Sequence, residues 1–380
     1  MATAFITPEP LAAPLGRAPA PAAYPAAPKP SVGVLKAKAE GGEDRAMIKA
    51  AATLTRDLHA ARPLVYWTDL IASAGIGYAG LAVAIVATPI WAKLLGGVVA
   101  VLALYRALSF IHELSHMKPN AVPGFTAGWN ILFGVPVMMP SLMYEGVHTL
   151  HHAKTRYGTN RDPEYMPLAR GPVVTLGVFV LVSALLPIGL ILRYGVLTPL
   201  SLLSPKLREI VVTRYSALAI NPQFRRRAPE GEAKAYWNRL EVAASLWAIT
   251  LIGITVAGVL PLRAFLTILG VASAFAVLNQ VRTLVAHLWE NDGEPMTVTA
   301  QYLDTVNVPP PALLPALWAP VGLRYHALHH LLPGLPYHAL GEAHRRISAE
   351  LDAMSPYHKA SYPGLPGLVS KIARSTMVRR

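Results

Sequence analysis

The sequence predicts an all-α integral membrane protein, with about four transmembrane helices in two hairpins and a cytoplasmic helical cap that holds a histidine-rich site for two metal ions. Three observations support this fold class. The 380 residues are 53% hydrophobic and only 14% charged, whereas a soluble domain has about 25% charged residues. Several windows are uncharged over the roughly 20 residues that a membrane-spanning helix needs. Most of the 13 histidines fall in three clusters.

The absence of cysteine and the excess of positive charge exclude several classes of protein. Without cysteine there is no disulfide, no thiolate-bound zinc, no iron–sulfur cluster and no cysteine nucleophile. The net charge of +13 has a simple cause in a membrane protein, because Lys and Arg collect in the loops that stay in the cytoplasm. The sequence contains no nucleic-acid-binding motif that would favour another explanation, so we expect no nucleic-acid partner.

The first 62 residues are expected to lie outside the membrane. Residues 1–30 contain eight prolines among many alanines, a composition typical of a disordered tail. They have no basic start followed by an apolar run and a cleavage site, so we do not expect a signal peptide. Residues 36–63 are more charged and are expected to lead along the membrane surface. We therefore divide the chain into a tail and lead-in (1–62), a membrane domain (63–350) and a basic C-terminal tail (351–380).

Four apolar windows form the two predicted hairpins. Leu70–Ala92 is uncharged over 23 residues, and Leu94–Ile111 is apolar apart from Arg106. Val242–Leu262 and Ala264–Val281 form the second pair. Each window has about the length that a span requires, so each pair predicts a helix into the membrane, a turn and a helix out.

Two further windows are long enough to span but are ambiguous. Asn120–Tyr144 contains three prolines and three glycines, so we expect a re-entrant or surface-lying segment whose broken backbone is buried in protein or exposed to water. Gly171–Leu192 is interrupted by Pro187. If all histidine clusters meet on one membrane face, an even number of crossings must separate them, so residues 171–205 should dip in and return or lie at the interface. This gives four spans; two short passes within 171–205 would give six.

The loop 206–239 carries eight Lys and Arg residues. Positively charged loops remain in the cytoplasm, which places this loop and the histidine face on the cytoplasmic side. We expect an integral membrane protein of the bacterial inner membrane with its active site on that face. The basic loop would also suit an acidic electron carrier, although the positive-inside rule explains it more simply.

Three short motifs, HELSH, HTLHH and HALHH, contain most of the candidate metal ligands. Positions i, i+3 and i+4 share one face of a helix, so each motif presents its imidazoles in one direction. The isolated His59, His338, His344 and His358 are expected to be ordinary hydrogen-bonded residues. The candidate ligands of the three motifs are His112, His116, His148, His151, His152, His326, His329 and His330.

Eight imidazoles exceed the three or four protein ligands of one zinc site and suit two metal ions with open positions. Imidazole binds zinc, copper, nickel and iron, so ligand type alone does not choose the metal. In a membrane protein without thiolates, iron-dependent oxygen chemistry and zinc-dependent hydrolysis are the two serious options.

The order HxxxH, HxxHH, HxxHH, interleaved with apolar hairpins, resembles the membrane fatty acid desaturase and hydroxylase family. The resemblance runs from about His112 to Ile347. It includes DPEYMP (162–167), RTLVAH (282–287) and the sequence 323–344 around the third cluster. This resemblance implies a di-iron site with His287 as a ninth ligand. Relatives of the acyl-CoA type have an asparagine one turn before that histidine, and here the position is Thr283, with Asn279 a further turn back.

The resemblance also implies the chemistry. Two irons would use O2 and electrons from an external donor to attack an unactivated CH2 group of a fatty acyl chain. The chain has neither a haem-binding motif nor cysteine for a cluster, so a separate ferredoxin or cytochrome-type carrier is expected. We expect a lipid desaturase first and a lipid hydroxylase as the alternative. The substrate head group, the bond attacked and the carrier remain open. A carboxylate usually accepts a hydrogen bond from the far nitrogen of a metal-bound imidazole and so orients the ring, and Glu113, Glu145 and Asp162 are the candidates.

A different class of enzyme also fits part of the sequence. HELSH is a literal HExxH motif, in which two histidines bind zinc and Glu113 acts as the base. Asn291-Asp292-Gly293 resembles the aspartate-glycine motif of intramembrane zinc proteases. This alternative leaves both HxxHH clusters unexplained, and NDG is also a good turn sequence.

Overall fold

The computed structural model describes residues 44–168, 171–291 and 293–378. Over these residues the protein is helical, and pairing between extended segments is limited to isolated bridges. The all-α prediction is therefore confirmed for this part of the chain. The Pro/Ala-rich tail predicted for residues 1–30 lies outside it.

The α-helices of the described residues are numbered in chain order. They are α1 (Arg45–Leu54), α2 (Pro63–Val86), α3 (Ile90–His116), α4 (Phe125–Trp129), α5 (His148–His151), α6 (Val173–Leu181), α7 (Leu186–Leu192), α8 (Thr198–Ser201), α9 (Pro205–Arg214), α10 (Gly231–Val256), α11 (Leu262–Ala286), α12 (Val298–Asp304), α13 (Pro315–Trp318), α14 (His326–Leu331), α15 (Leu340–Glu350) and α16 (Leu365–Val378).

Among the described residues, five helical segments are long and apolar enough to cross a membrane. Four of them, α2, α3, α10 and α11, correspond to the two predicted hairpins. The fifth is Val173–Ser201, which contains α6 to α8 together with a 3-10 turn and a π-helical turn. These five apolar helices indicate an integral membrane protein.

The α2–α3 hairpin is held by close backbone contact. Pro63 starts α2 at a position where its missing N–H is not needed, and Pro89 precedes α3. Near the turn, a Cβ atom added at Gly96 would lie 2.7 Å from the Gly80 carbonyl oxygen, so only a glycine pair allows this approach. Further along the hairpin, the Arg106 guanidinium donates two hydrogen bonds of 2.6 Å to Asp69. Charged residues in spans need such partners.

The second hairpin ends at His287, one of the predicted metal ligands. Pro261 precedes α11, and this helix ends at Ala286, so that His287 becomes its C-cap in an extended conformation (φ −128°, ψ 157°). Extended backbone lets His287 pair with Thr305 in an isolated bridge. The last turn of α11 is therefore tied to the chain that leads into α14.

The two ambiguous windows have irregular helical structure. In the first, α4 runs into a π-helical turn at Asn130–Gly134. The Asn130 side chain provides a hydrogen-bond acceptor for a backbone N–H of this irregular segment, since its Oδ1 accepts from Ser141 N at 2.8 Å. This agrees with the prediction of a broken segment buried in protein. In the second, a π-helical turn spans Arg193–Leu197, and the buried Arg193 donates to Glu241 of α10 at 2.6 Å.

Two smaller apolar clusters lie beside the main core of the long apolar helices. One joins α1 to α15 through Met47, Ala51 and Ile347. The other surrounds Tyr157 and Trp289 and includes Leu368 of α16. Some residues of the ranges predicted as tails, among them Met47 and Leu368, are therefore buried in these clusters.

Candidate metal centre

The sequence-predicted histidines come together where four elements meet. The C-terminal end of α3, the short helix α5, the C-cap of α11 and helix α14 each contribute imidazoles. Helical spacing puts the rings of each motif on one face, and these faces point at one another. Seven of the nine predicted ligands are buried and the other two are partly buried. The buried ones are His112, His148, His151, His287, His326, His329 and His330, and the partly buried ones are His116 and His152.

Two groups of four imidazoles could each hold a metal ion, because the ligand atoms within each group lie within 4.8 Å of one another. The first group contains His112, His116, His148 and His329. The second contains His151, His287, His326 and His330. The third motif contributes His329 to the first group and His326 and His330 to the second, so α14 contributes to both groups.

His152 lies between the two groups. Its Nε2 atom is 3.0 Å from His148 Nε2 and 3.1 Å from His329 Nε2, both in the first group. Its ring also stacks on His330 of the second group, with centroids 4.2 Å apart. The ninth imidazole is therefore next to both groups.

The donor set fits two metal ions. Ring nitrogens bound about 2.1 Å from one ion at right angles lie about 3 Å apart. The Nε2 atoms of His326 and His287 are 3.1 Å apart, and those of His330 and His326 are 3.2 Å apart. Both nitrogens of His112 and Nε2 of His151 are buried without a hydrogen-bond partner among the described residues. Buried polar atoms of this kind need a partner, which a metal ion would supply.

Two carboxylates orient imidazoles of α5. Asp162 accepts from His151 Nδ1 at 2.9 Å, and Glu164 accepts from His148 Nδ1 at 2.8 Å. With Nδ1 committed, the opposite nitrogen Nε2 of each ring is left as a lone-pair donor, which is the usual arrangement behind metal-bound histidine. Asp162 was among the sequence candidates. Glu164 was not, although it lies in the DPEYMP motif on which the family resemblance rests.

His287 is oriented by a tyrosine and a carboxylate that sequence reasoning missed. Its Nδ1 is 3.0 Å from the Tyr157 hydroxyl, which donates to Asp304 Oδ2 at 3.0 Å. Tyr165 donates to the same oxygen at 2.8 Å. No sequence signal identifies these residues, because Tyr157 and Asp304 are separated by 147 positions.

Electrostatics favour neutral imidazoles, the form that binds metal. Burial, followed by repulsion from neighbouring rings, holds the pKa of His148, His152 and His330 well below the usual range. His151 differs: burial acts to lower its pKa, but the Asp162 carboxylate outweighs burial and raises it. Burial also raises the pKa of Glu164 to about 7.

The other two sequence candidates for orienting ligands have different partners. Glu113 accepts from the Tyr66 hydroxyl at 2.6 Å and from Tyr337 N at 3.2 Å, so it links α2 and α3 to the turn after α14. Glu145 is close to Arg226, which donates to its backbone oxygen at 2.7 Å. Thr283, at the position of the family's asparagine, donates from Oγ1 to Asn279 O at 3.0 Å.

Three histidines outside the motifs have ordinary hydrogen bonds, as expected. His338 accepts from Arg62 N at 3.1 Å, His344 contacts the Tyr357 hydroxyl at 2.9 Å, and His358 contacts the Leu351 carbonyl at 3.3 Å.

Comparison with known proteins agrees with this site. The profile of the fatty acid desaturase family matches residues 88–362, which include all nine histidines. The chain belongs to this family. It is also 50% identical over 327 residues to a ceramide hydroxylase of Caulobacter vibrioides (strain NA1000 / CB15N), covering 86% of this chain and 93% of that protein.

Membership of the fatty acid desaturase family confirms the resemblance and supports an oxidoreductase that acts in lipid metabolism. The similarity to a ceramide hydroxylase favours hydroxylation over desaturation, whereas the sequence alone led us to expect a desaturase first. In the protease alternative, HELSH would supply two zinc ligands and a base. Instead, His112 and His116 group with two imidazoles from other motifs, and Glu113 bonds to two tyrosines. Asp292 of NDG lies outside the described residues.

Proposed function

We propose that this protein is a lipid hydroxylase that inserts one oxygen atom of O2 into a C–H bond of a ceramide or a closely related sphingolipid. The observation that carries the proposal is the 50% identity to a ceramide hydroxylase along 93% of that protein. The overall reaction converts C–H, O2, two electrons and two protons into C–OH and water. Desaturation of the same lipid would consume the same reagents, and it becomes the secondary alternative.

The eight histidines of the two groups, together with His152, would hold two iron ions. Bound iron would supply the activation of O2 that the protein's own side chains lack. The chain's part is to keep the imidazoles neutral, to fix their rings and to exclude water. Asp162 and Glu164 fix two of the rings through Nδ1. Burial of seven of the nine ligands keeps bulk water from the site.

The membrane arrangement completes the proposal. The histidines converge, so an even number of crossings must separate α5 from α14. Three candidate spans lie between them, so Val173–Ser201 would return or lie at the interface, and α2, α3, α10 and α11 would be the four spans. We propose that residues 63–350 form this membrane domain in a bacterial inner membrane, with the metal centre on the cytoplasmic face. There a ferredoxin or cytochrome-type carrier would deliver electrons.

The reaction is tested by expressing the protein in a bacterial host that makes ceramide and analysing the lipids by mass spectrometry under 18O2. We expect a ceramide product heavier by one 18O atom. His330→Ala should abolish it, because His330 belongs to the second group, whereas His338→Ala should not. A product lighter by two hydrogens, with no added oxygen, would assign desaturation instead.

Metal analysis of the purified protein tests the centre itself. Two irons per chain are expected, and one zinc without iron would contradict the oxygenase. Glu113→Gln separates the protease from the oxygenase: it should abolish a zinc protease that uses this base, but only impair an enzyme in which Glu113 bonds to Tyr66 and Tyr337.

A further inference from the structure

Four of the predicted metal ligands on α3 and α14 have no hydrogen bond that orients their rings from behind. Nδ1 of His326, His329 and His330 is buried, and none of these atoms has a hydrogen-bond partner within the part of the chain that the structure describes. The same holds for both ring nitrogens of His112. By contrast, carboxylates or a tyrosine hold two rings of α5 and the ring of His287. The positions of the four rings therefore depend on how the backbones of α3 and α14 are held.

The N-terminal half of α14 is hydrogen-bonded to a segment beside the second group. Leu328 N donates to Asn307 Oδ1 at 3.0 Å, and Ala327 N donates to Val306 O at 3.1 Å. The residue just before this segment forms the isolated bridge with His287. This side of α14 is therefore tied to the C-cap of α11, which provides a ligand of the second group.

The chain that leaves α14 is joined to α3 by Glu113. Tyr337 N, six residues after the end of α14, donates to Glu113 Oε2 at 3.2 Å. The Tyr66 hydroxyl of α2 donates to the same oxygen at 2.6 Å. All three residues are buried, and Glu113 directly follows the predicted ligand His112 in α3. One carboxylate oxygen therefore connects α2, α3 and the chain after α14 next to the first group.

Tyr337 has further contacts with the first hairpin. Its hydroxyl donates to Asp69 Oδ2 of α2 at 2.8 Å. Its ring packs edge-on against Tyr66, with centroids 5.0 Å apart, and against Phe110, with centroids 5.5 Å apart. Aromatic pairs in this geometry are favourable. The chain after α14 is therefore fixed against the first hairpin through both the backbone and the side chain of Tyr337.

We propose that Glu113 is a positioning residue for the first group alone. Its oxygen fixes α14 against α3, and thereby fixes the His112 ring against the His329 ring, whose centroids are 4.3 Å apart. This inference rests on the proposed function, because it takes the two groups as two metal sites. The first group has ligands from α3, α5 and α14, whereas the second has none from α3. Loss of the Glu113 contacts should therefore weaken metal binding at the first group, while the Asn307 contact keeps the second group in place.

Titration of the metal-free protein in detergent with cobalt(II) measures both sites without turnover, by calorimetry and by the visible absorption of the bound ion. Glu113→Leu removes the acceptor and should weaken one of the two sites by about ten- to a hundredfold, as is usual when a residue that orients a metal site is lost. Glu113→Gln retains an oxygen that can accept from both donors, so it should restore most of the affinity and the wild-type cobalt spectrum. A role that needs the charge of Glu113, or its action as a base, would not be restored by glutamine.

Variants of the ligands identify the weakened site. His116→Ala disables the first group, and His287→Ala disables the second. Glu113→Leu added to His287→Ala should weaken the site that remains. Added to His116→Ala, the same change should leave the remaining site unchanged.

Two tyrosine variants keep the test possible if Glu113→Leu does not fold. Tyr66→Phe retains the ring and removes one donor to Glu113, so it should weaken the first site, although less than Glu113→Leu does. Tyr78→Phe is the matched control, because it removes another hydroxyl of α2, which donates to Leu132 O at 2.8 Å. It should bind both cobalt ions as wild type does.

The outcomes separate this inference from the proposed function. If the wild-type protein binds fewer than two cobalt ions, the two-metal centre fails, and the role of Glu113 fails with it. If wild type binds two ions and both Glu113→Leu and Tyr66→Phe bind them as tightly, only the role of Glu113 fails. Equal weakening of both sites would show a general effect on the fold, and a Glu113→Gln protein as defective as Glu113→Leu would show that the acceptor oxygen is not what matters; either result would overturn the inference.

Discussion

Asp162 is a fully buried carboxylate that receives hydrogen bonds from three N–H groups. Oδ1 accepts from Glu164 N at 2.8 Å, and Oδ2 accepts from Gly158 N at 2.8 Å. Both oxygens lie within 3.0 Å of His151 Nδ1. Asp162→Asn retains the shape of the side chain but replaces one oxygen by NH2. Whichever way the amide turns, its NH2 group faces a backbone N–H.

The expected loss of stability in Asp162→Asn follows from these hydrogen bonds. One buried backbone N–H loses its acceptor, at about 1–3 kcal/mol, and the hydrogen bond from His151 loses its charged partner, at about 1 kcal/mol. The free energy of unfolding should therefore fall by about 2–4 kcal/mol. Because Asp162 also fixes the His151 ring, metal affinity should fall by about ten- to a hundredfold, as is usual when such a partner is removed.

Thermal unfolding and iron titration of the purified protein measure these two effects. Asp57→Asn is the control, since Asp57 is an exposed residue paired with Arg346 at 2.7 Å, and exposed pairs contribute about 0–1 kcal/mol. If Asp162→Asn bound iron as tightly as wild type, His151 would not be a metal ligand oriented by Asp162. If its stability were also unchanged, the buried hydrogen bonds would carry none of the expected energy.

Three further predictions concern packing, pH and the metals. Gly96→Ala should destabilise the protein by about 1–3 kcal/mol, because the new methyl group meets the Gly80 carbonyl; Gly97→Ala, which meets open space, should leave the melting temperature unchanged or raise it. Burial lowers the pKa of His344 to about 4, so the folded state binds fewer protons than the unfolded state between pH 6.5 and 4; acid should lower the melting temperature in this range, and His344→Gln should reduce the slope. Removing iron with a chelator should lower the melting temperature of wild type, whereas equal melting curves would show that the metals do not stabilise the fold.

Much of the fold could be predicted from the sequence because the membrane imposes simple rules. Uncharged windows of the right length identify α2, α3, α10 and α11, since a span must be long, apolar and helical. Val173–Ser201 is harder because the same composition suits a crossing, a dip and an interfacial segment. The interruption at Pro187 is visible in the sequence, but the π-helical turn at Arg193 goes with the contact between Arg193 and Glu241 of α10, which sequence periodicity does not report.

The ligands of the candidate site could also be predicted from the sequence, but most of their hydrogen-bond partners could not. Histidines spaced i, i+3 and i+4 share a face whatever the tertiary structure, so the three motifs were visible in advance, and the family resemblance added His287. The partners of those rings depend on how distant segments meet. Glu164 lies two residues after Asp162 in a motif already noticed, but Tyr157 and Asp304 carry no local signal. Glu113 shows the converse: its place in HELSH points to a role in catalysis, while the fold joins it to Tyr66 and Tyr337.

The division of α14 between the two groups has a consequence for biosynthesis. His329 belongs to the first group, and His326 and His330 belong to the second. These residues are among the last of the membrane domain to leave the ribosome, after every candidate span. Neither group of four histidines is therefore complete until α14 has been synthesised, after all five candidate spans of the described residues. If the two groups bind metal ions, one short helix would therefore complete both sites in the same late step of synthesis.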